Sequence, residues 1–190
     1  MTTAGVLGVV GAGLPAHGQG APARPTLVVL ITIDQFRADY LDRFGAQLTG
    51  GLARLSRNGA RFTNAFHDHA ITETAPGHAT LLAGRFPRST GIMMNRVGVE
   101  DDDSPLIAGG VGAGASPKRF AGTTLVDWLR ASDPASRALS VSTKDRAAIL
   151  PVGKSKSDVY WYSPDGRFTT SSYYRATLPD WVVAWNRREF

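Results

Sequence analysis

Thr26-Leu-Val-Val-Leu-Ile-Thr-Ile-Asp34 decides the fold class, because it is a nearly unbroken apolar run that ends abruptly in a carboxylate. A strand covered on both faces loses its polar alternation, so the run reads as a buried parallel strand of an α/β sheet. In open α/β sheets ligands bind beyond the carboxyl ends of such strands. Asp34 stands at that end and is placed to ligate a divalent metal. Taken alone it reads equally well as a helix cap for the segment that follows.

The second informative stretch is Ile71-Thr-Glu-Thr-Ala-Pro-Gly-His-Ala-Thr-Leu-Leu-Ala-Gly84. Pro76 suits the first turn of a helix, where its missing N–H leaves nothing unsatisfied. A helix N-terminus offers free N–H groups and the positive end of the dipole, which favour phosphate or sulfate. Thr74 is therefore the first candidate for catalysis. The commoner role of a Thr before a Pro-opened helix is an N-cap.

Working outward, helical stretches are expected near 36–45 and 48–58, the latter stopping at Gly59, and Arg61–Phe66 alternates like a strand. The helix opened by Pro76 precedes a long irregular region to Lys118. Thr124-Leu-Val-Asp127 is a capping-box pattern for a helix through Arg130, and Leu139–Thr143 reads as a strand. Asp158–Tyr162 and Arg167–Tyr173, joined by Ser163-Pro-Asp-Gly166, read as a β-hairpin, and a helix begins near Leu178. Strands alternating with helices imply a mostly parallel sheet flanked by helices, with the hairpin as an excursion.

Four segments in this order, Ile33-Asp-Gln-Phe-Arg-Ala-Asp-Tyr40, Thr74-Ala-Pro-Gly-His-Ala79, Asn95 and Ser142-Thr-Lys-Asp-Arg-Ala-Ala-Ile-Leu150, resemble the alkaline phosphatase superfamily. The likeness is to single-chain bacterial phosphatases with a Thr nucleophile and to their nucleotide pyrophosphatase/phosphodiesterase relatives. It implies an alkaline-phosphatase-like, doubly wound α/β fold. It also implies that Asp34 is a zinc ligand and that Thr74 is a nucleophile that also binds zinc. Asn95, Lys144 and Arg146 would hold phosphoryl oxygens. Two zinc ions and a phosphothreonine intermediate belong to the same implication.

Chemistry agrees with these roles, since a threonine hydroxyl is a weak nucleophile that needs a metal or a base, and a zinc pair serves an in-line displacement. Members of the superfamily are much longer and take further zinc ligands from later segments, typically an Asp-x-x-x-His, an Asp-His pair and another His. The chain is therefore expected to be an N-terminal portion, with residues 24–190 part of a catalytic domain incomplete at its C-terminus and inactive alone. A phosphodiesterase of the same superfamily, or a remnant that at best binds phosphate, are the other readings.

Lys144 and Arg146 bear on which ester is cut. At spacing i, i+2 an extended path would point both to one face, with Asp145 on the other. Two converging cations suit a dianion, and a monoester carries more non-bridging charge than a diester. In the superfamily such a pair resembles the monoesterase branch; an isolated K-x-R otherwise reads as a solvated strand end. Asn95 alone reads as a turn residue, and the superfamily's spacing from the Thr favours the phosphoryl role.

Other residues are set aside. His67 and His69 could share a strand face and bind metal, but the resemblance does not draw zinc ligands from that region. His78 is read as a packing or hydrogen-bonding residue, and Glu73 as a base that zinc makes unnecessary. Glu100–Asp103 reads as a solvated acidic loop and Gly109–Gly114 as a flexible connection.

Composition sets the bounds. At 190 residues and 43% apolar content, the chain is about one domain long with enough core. The 21 Lys and Arg behind a net charge of +5 are scattered without an aromatic-interleaved stripe, which argues against a nucleic-acid partner and is a milder pointer to small anionic substrates; the small phosphate ester is what the resemblance implies. Without cysteine there are no disulfides or thiolate sites. Residues 1–23 resemble a signal peptide lacking its basic n-region, so the protein is expected to be periplasmic or secreted. Their apolar stretch is too short and Gly-rich for a membrane span, which needs ~20 residues. The oligomeric state is left open.

Overall fold

Val141, Val159, Tyr160 and Trp161 put β-branched and aromatic side chains into short segments bounded by turns, and these segments form the sheet. The computed structural model describes residues 25–188, so the signal-like segment 1–23 lies outside it. Strands Leu139–Ser142 (β1) and Asp158–Tyr162 (β2) are parallel, with Leu139 opposite Asp158 and Ser142 opposite Trp161. Phe168–Thr169 (β3) pairs antiparallel with β2, completing the mixed sheet order β1-β2-β3. The expected hairpin turn is present: Gly166 takes a φ of 84°, and its N–H donates to Ser163 O.

The helices follow the sequence reading in most places. They are Tyr40–Arg43 (α1), Gly51–Asn58 (α2), Thr74–Ala83 (α3), Pro87–Thr90 (α4), Leu125–Ser132 (α5), Asp145–Ile149 (α6) and Asp180–Asn186 (α7). Short 3-10 turns at Gly45–Gln47, Asn95–Val97 and Leu150–Val152 follow α1, precede Gly98 and extend α6. The capping box of α5 is formed by Thr124 and Asp127 as the pattern predicts. No helix among the described residues is long and apolar enough to cross a membrane.

Two expected strands are corrected. Residues 26–33 and 61–66 lie outside any strand, and their apolar side chains face outward, with Leu27 77% and Phe62 84% exposed. A strand exists only through a hydrogen-bonded neighbour, and among the described residues neither segment has one. Hydrophobic pattern alone specifies the tendency, not the partner.

The core gathers around α3. Ala75, Ala79 and Ala83 recur every fourth residue, forming a buried stripe of small side chains that packs against α6 and the Leu150–Val152 turn. Ala148, Ile149 and Leu150 meet it from the other side, with Val159 and Trp161 of β2 in the same cluster. Pro76 is the third residue of α3, so the helix starts two residues earlier than expected, with Glu73 as N-cap and Thr74 inside the first turn.

One residue of the acidic run Glu100–Asp103 is also corrected, while Glu100, Asp102 and Asp103 are exposed as expected. Asp101 is buried and accepts hydrogen bonds from the hydroxyls of Ser104 and Ser116 and from Lys118 Nζ. Two glycines of the tract after it are packed: a Cβ on Gly114 would stand 2.2 Å from Asp101 O, and one on Gly110 would stand 2.6 Å from Thr169 Oγ1, while residues 111–113 between them are exposed. Small residues there let the two limbs of the loop close on one another, with Glu100 bridged to Ala115.

Burial by itself would raise the Asp101 carboxyl pKa; hydrogen bonds from Lys118, Ser116 and Ser104 outweigh it and hold the group well below its ordinary 3.8. A folded-state pKa below the unfolded one means the stabilisation is complete above about pH 4 and is lost as pH falls through the folded value. Asp101→Ala should lower stability by about 2–3 kcal/mol at neutral pH in urea denaturation. The gap to the parent should narrow on acidification; a gap unchanged down to about pH 2 would contradict this assignment.

Candidate active site

Asp34 sits in a turn after the extended 27–33 segment, and the next residue, Gln35, holds a φ of 61° that few non-glycine residues adopt. That turn aims the Asp34 carboxylate at two elements far away in sequence. Thr74 Oγ1, on the first residue of α3, donates to Asp34 Oδ2 at 3.0 Å. Lys144 Nζ, on the N-cap residue of α6, donates to the same oxygen at 3.2 Å. Three predicted residues therefore meet at one carboxylate oxygen.

Asn95 joins them through the backbone of α3. Its Oδ1 accepts the Ala75 N–H at 2.8 Å, next to Thr74. A backbone N–H pairs only with an acceptor, so this contact fixes which end of the amide is oxygen. The Asn95 N–H in turn donates to Glu73 Oε2 at 2.6 Å.

Arg146 lies on α6, two residues beyond Lys144, and does not touch Asp34 or Thr74. Its guanidinium reaches its neighbour Asp145 at 3.3 Å, and its buried Nε has no hydrogen-bond partner among the described residues. The same-face strand argument for this pair is corrected here. The chain leaves β1 at Ser142 and turns into α6 at Asp145, whose carboxylate accepts the Arg146 N–H at 2.6 Å. An acid in the first turn followed by Ala147-Ala148 favours helix over a continued strand.

Of the residues set aside, His78 makes a hydrogen bond: Nδ1 lies 2.8 Å from Thr74 O, so it carries the proton and donates back along α3. His67 and His69 stack edge to face at 5.3 Å, and His69 Nδ1 donates to Ile71 O. Glu73 is the residue that sequence reasoning undervalued. Its place beside Thr74 pointed only to a base that zinc makes unnecessary; nothing local pointed to a loop 22 residues on.

Burial alone would raise the pKa of Asp34; the Thr74 hydroxyl, the Lys144 ammonium and the positive field of His78 together bring it below its ordinary value. Asp34 is therefore a carboxylate at neutral pH and a poor proton acceptor. Asp34 Oδ2 and Thr74 Oγ1 are two hard oxygen donors side by side, with a Lys ammonium already drawn to them. This donor pair fits part of a divalent-cation site. Among the described residues no three His, Cys, Asp or Glu side chains gather into a metal-holding group.

Comparison with known proteins follows the same line. Residues 28–189 match the type I phosphodiesterase/nucleotide pyrophosphatase family, and the chain belongs to it, within the alkaline phosphatase superfamily. It is 37% identical over 153 residues to alkaline phosphatase PhoK of a Sphingomonas species, covering 74% of this chain and 27% of that protein. It is 39% identical over 178 residues to alkaline phosphatase PhoV of Synechococcus elongatus, covering 86% and 32%. The crystal structure of alkaline phosphatase PafA superposes with a TM-score of 0.74 at 32% identity, covering 80% of this chain and 32% of that one. The chain thus spans about a third of the length of these relatives.

Removing the ammonium from this cluster should be visible at its centre. Lys144→Met is expected to move the titration of the Asp34 carboxyl upward, toward the ordinary carboxylate value, in carbon-detected NMR. An unchanged Asp34 titration would mean that the Lys144 contact is not held in solution.

Proposed function

We propose that the protein is a phosphate monoester hydrolase in which Thr74 Oγ1 attacks phosphorus and a phosphothreonine is formed and then hydrolysed. The observation that carries this reading is the convergence of the Thr74 hydroxyl and the Lys144 ammonium on the Asp34 carboxylate at the start of α3. Asp34, held anionic, orients the hydroxyl through its hydrogen bond and leaves the Oγ1 lone pairs for attack. Because Asp34 is too weak a base to deprotonate threonine, charge growing on Oγ1 must be met by positive potential from Lys144 and the first turn of α3.

The step balances. A P–O bond forms to Oγ1, the ester P–O bond breaks, and the proton lost by Thr74 matches the one the departing alcohol gains. Water then cleaves the phosphothreonine and restores the hydroxyl. Asp34 and Thr74 would hold one of two zinc ions, which supplies Lewis-acid charge beyond what Lys144 gives. Lys144, Arg146 and the Asn95 amide would take the non-bridging oxygens; the buried Nε of Arg146 is a donor without a partner among the described residues.

A further likeness supports these assignments. A PafA variant of known structure has one Thr, one Asn, one Lys and one Arg replaced together. Its Thr and Asn are separated by the same number of residues as Thr74 and Asn95, and one residue lies between its Lys and Arg, as between Lys144 and Arg146. Residues 24–190 would then be part of the catalytic domain. The substrate would be a small phosphate ester, and residues 1–23 would direct the protein to the periplasm or the exterior.

The family also contains phosphodiesterases; with Arg146 apart from Lys144, what favours the monoester is the Lys-x-Arg spacing shared with the PafA variant and the likeness to alkaline phosphatases. The protein expressed from its own gene, supplied with zinc, should cleave an aryl phosphate monoester faster than the matching diester; the reverse ranking would refute the monoesterase assignment. Thr74→Ala should lower kcat by about three orders of magnitude or more and abolish covalent capture of labelled phosphate. Label retained on that variant would show that another residue is the nucleophile.

A further inference from the structure

Two hydrogen bonds run in opposite directions between the start of α3 and the Asn95–Val97 turn. Glu73 Oε2 accepts the Asn95 N–H at 2.6 Å, and Asn95 Oδ1 accepts the Ala75 N–H at 2.8 Å. Gly98 closes the contact: a Cβ there would stand 3.1 Å from the Ala75 Cβ, so turn and helix would have to give by a few tenths of an ångström to admit it. Glu73 and Ala75 flank Thr74 on either side. The two bonds therefore brace the segment that carries Asn95 directly against the residue that carries the hydroxyl.

The second bond also decides what Asn95 can do. Its oxygen is occupied by a first-turn N–H of α3 that has no partner within the helix. The amide is then left with its two N–H donors, and these make no hydrogen bond among the described residues. Only the end of the amide that can donate to an anion is free.

Resting on the phosphotransfer reading above, we propose that Glu73 is a positioning residue: its carboxylate holds the Asn95 turn on α3, so that the Asn95 amide is preset with its donors free for a phosphoryl oxygen. Glu73 acts through Asn95 and does not accept the Thr74 proton. The bond needs an acceptor oxygen, not a negative charge, so glutamine can supply it.

Steady-state kinetics on an aryl monoester, in the protein expressed from its own gene, separates this from a base. Glu73→Ala should lower kcat/KM about tenfold, and Glu73→Gln should recover it to within about threefold. Added to Asn95→Ala, the Glu73→Ala change should cost nothing further, because both act through one amide. Loss in Glu73→Gln as large as in Glu73→Ala, or losses that multiply in the double variant, would overturn the proposal.

A second measurement does not depend on turnover. Amide hydrogen exchange at Asn95 should be slow in the parent and in Glu73→Gln, and about tenfold or more faster in Glu73→Ala. Equal exchange in all three would overturn the brace even if the enzyme is active. A protein that shows the exchange pattern but hydrolyses no monoester would refute the proposed activity and leave the brace standing.

Discussion

Everything at the candidate site depends on how closely α3 can approach α6. The stripe Ala75, Ala79 and Ala83 presents methyl groups where larger side chains would hold the two helices apart, and it is buried against Ala148, Ile149 and Leu150. Interiors at close-packed density do not yield by a methylene without cost, so this contact fixes the distance between the two helix starts. Thr74 stands at one start and Lys144 at the other. Their meeting on Asp34 follows from the alanines as much as from the polar residues themselves.

Charge is arranged with the same economy. One carboxylate oxygen takes both the hydroxyl and the ammonium, and this drives Asp34 toward its ionised form. A group ionised so firmly orients a nucleophile well and deprotonates it poorly. On the proposed reading the chemistry rests on positive potential around Thr74 Oγ1, which the helix start and Lys144 provide and to which a divalent ion held there would add. Asp101, with three side-chain donors and the Asp103 N–H around a buried carboxylate, shows the same physics used for structure: there it joins the two limbs of an irregular loop.

Sequence likeness and geometry carry different parts of the account. The Thr-Ala-Pro-Gly-His turn as a helix start, and Asp34, Thr74 and Lys144 as residues that meet, could be singled out in the sequence because each sits in a local pattern with a stated chemical use. Their family membership follows from residues 28–189 as a whole. Where local pattern misled, a competing local force explains it. Asp145 and the two alanines after it turned an expected strand into α6, and Ser104, Ser116 and Lys118 drew Asp101 out of an expected solvated run.

The sequence by itself determined the α/β class, the hairpin, the capping box of α5, the helix that bears Thr74, and the identity of the residues proposed to act. These depend on interactions within a few positions of one another, where residue type and spacing suffice. Only the tertiary structure decided that Asp34, Thr74 and Lys144 share an oxygen while Arg146 stands apart. It alone showed that Glu73 reaches Asn95, and that the apolar runs 26–33 and 61–66 form no strand among the described residues. Each of those outcomes joins segments far apart in the chain, or depends on a neighbour that a strand cannot supply for itself, and no local pattern encodes a distant partner.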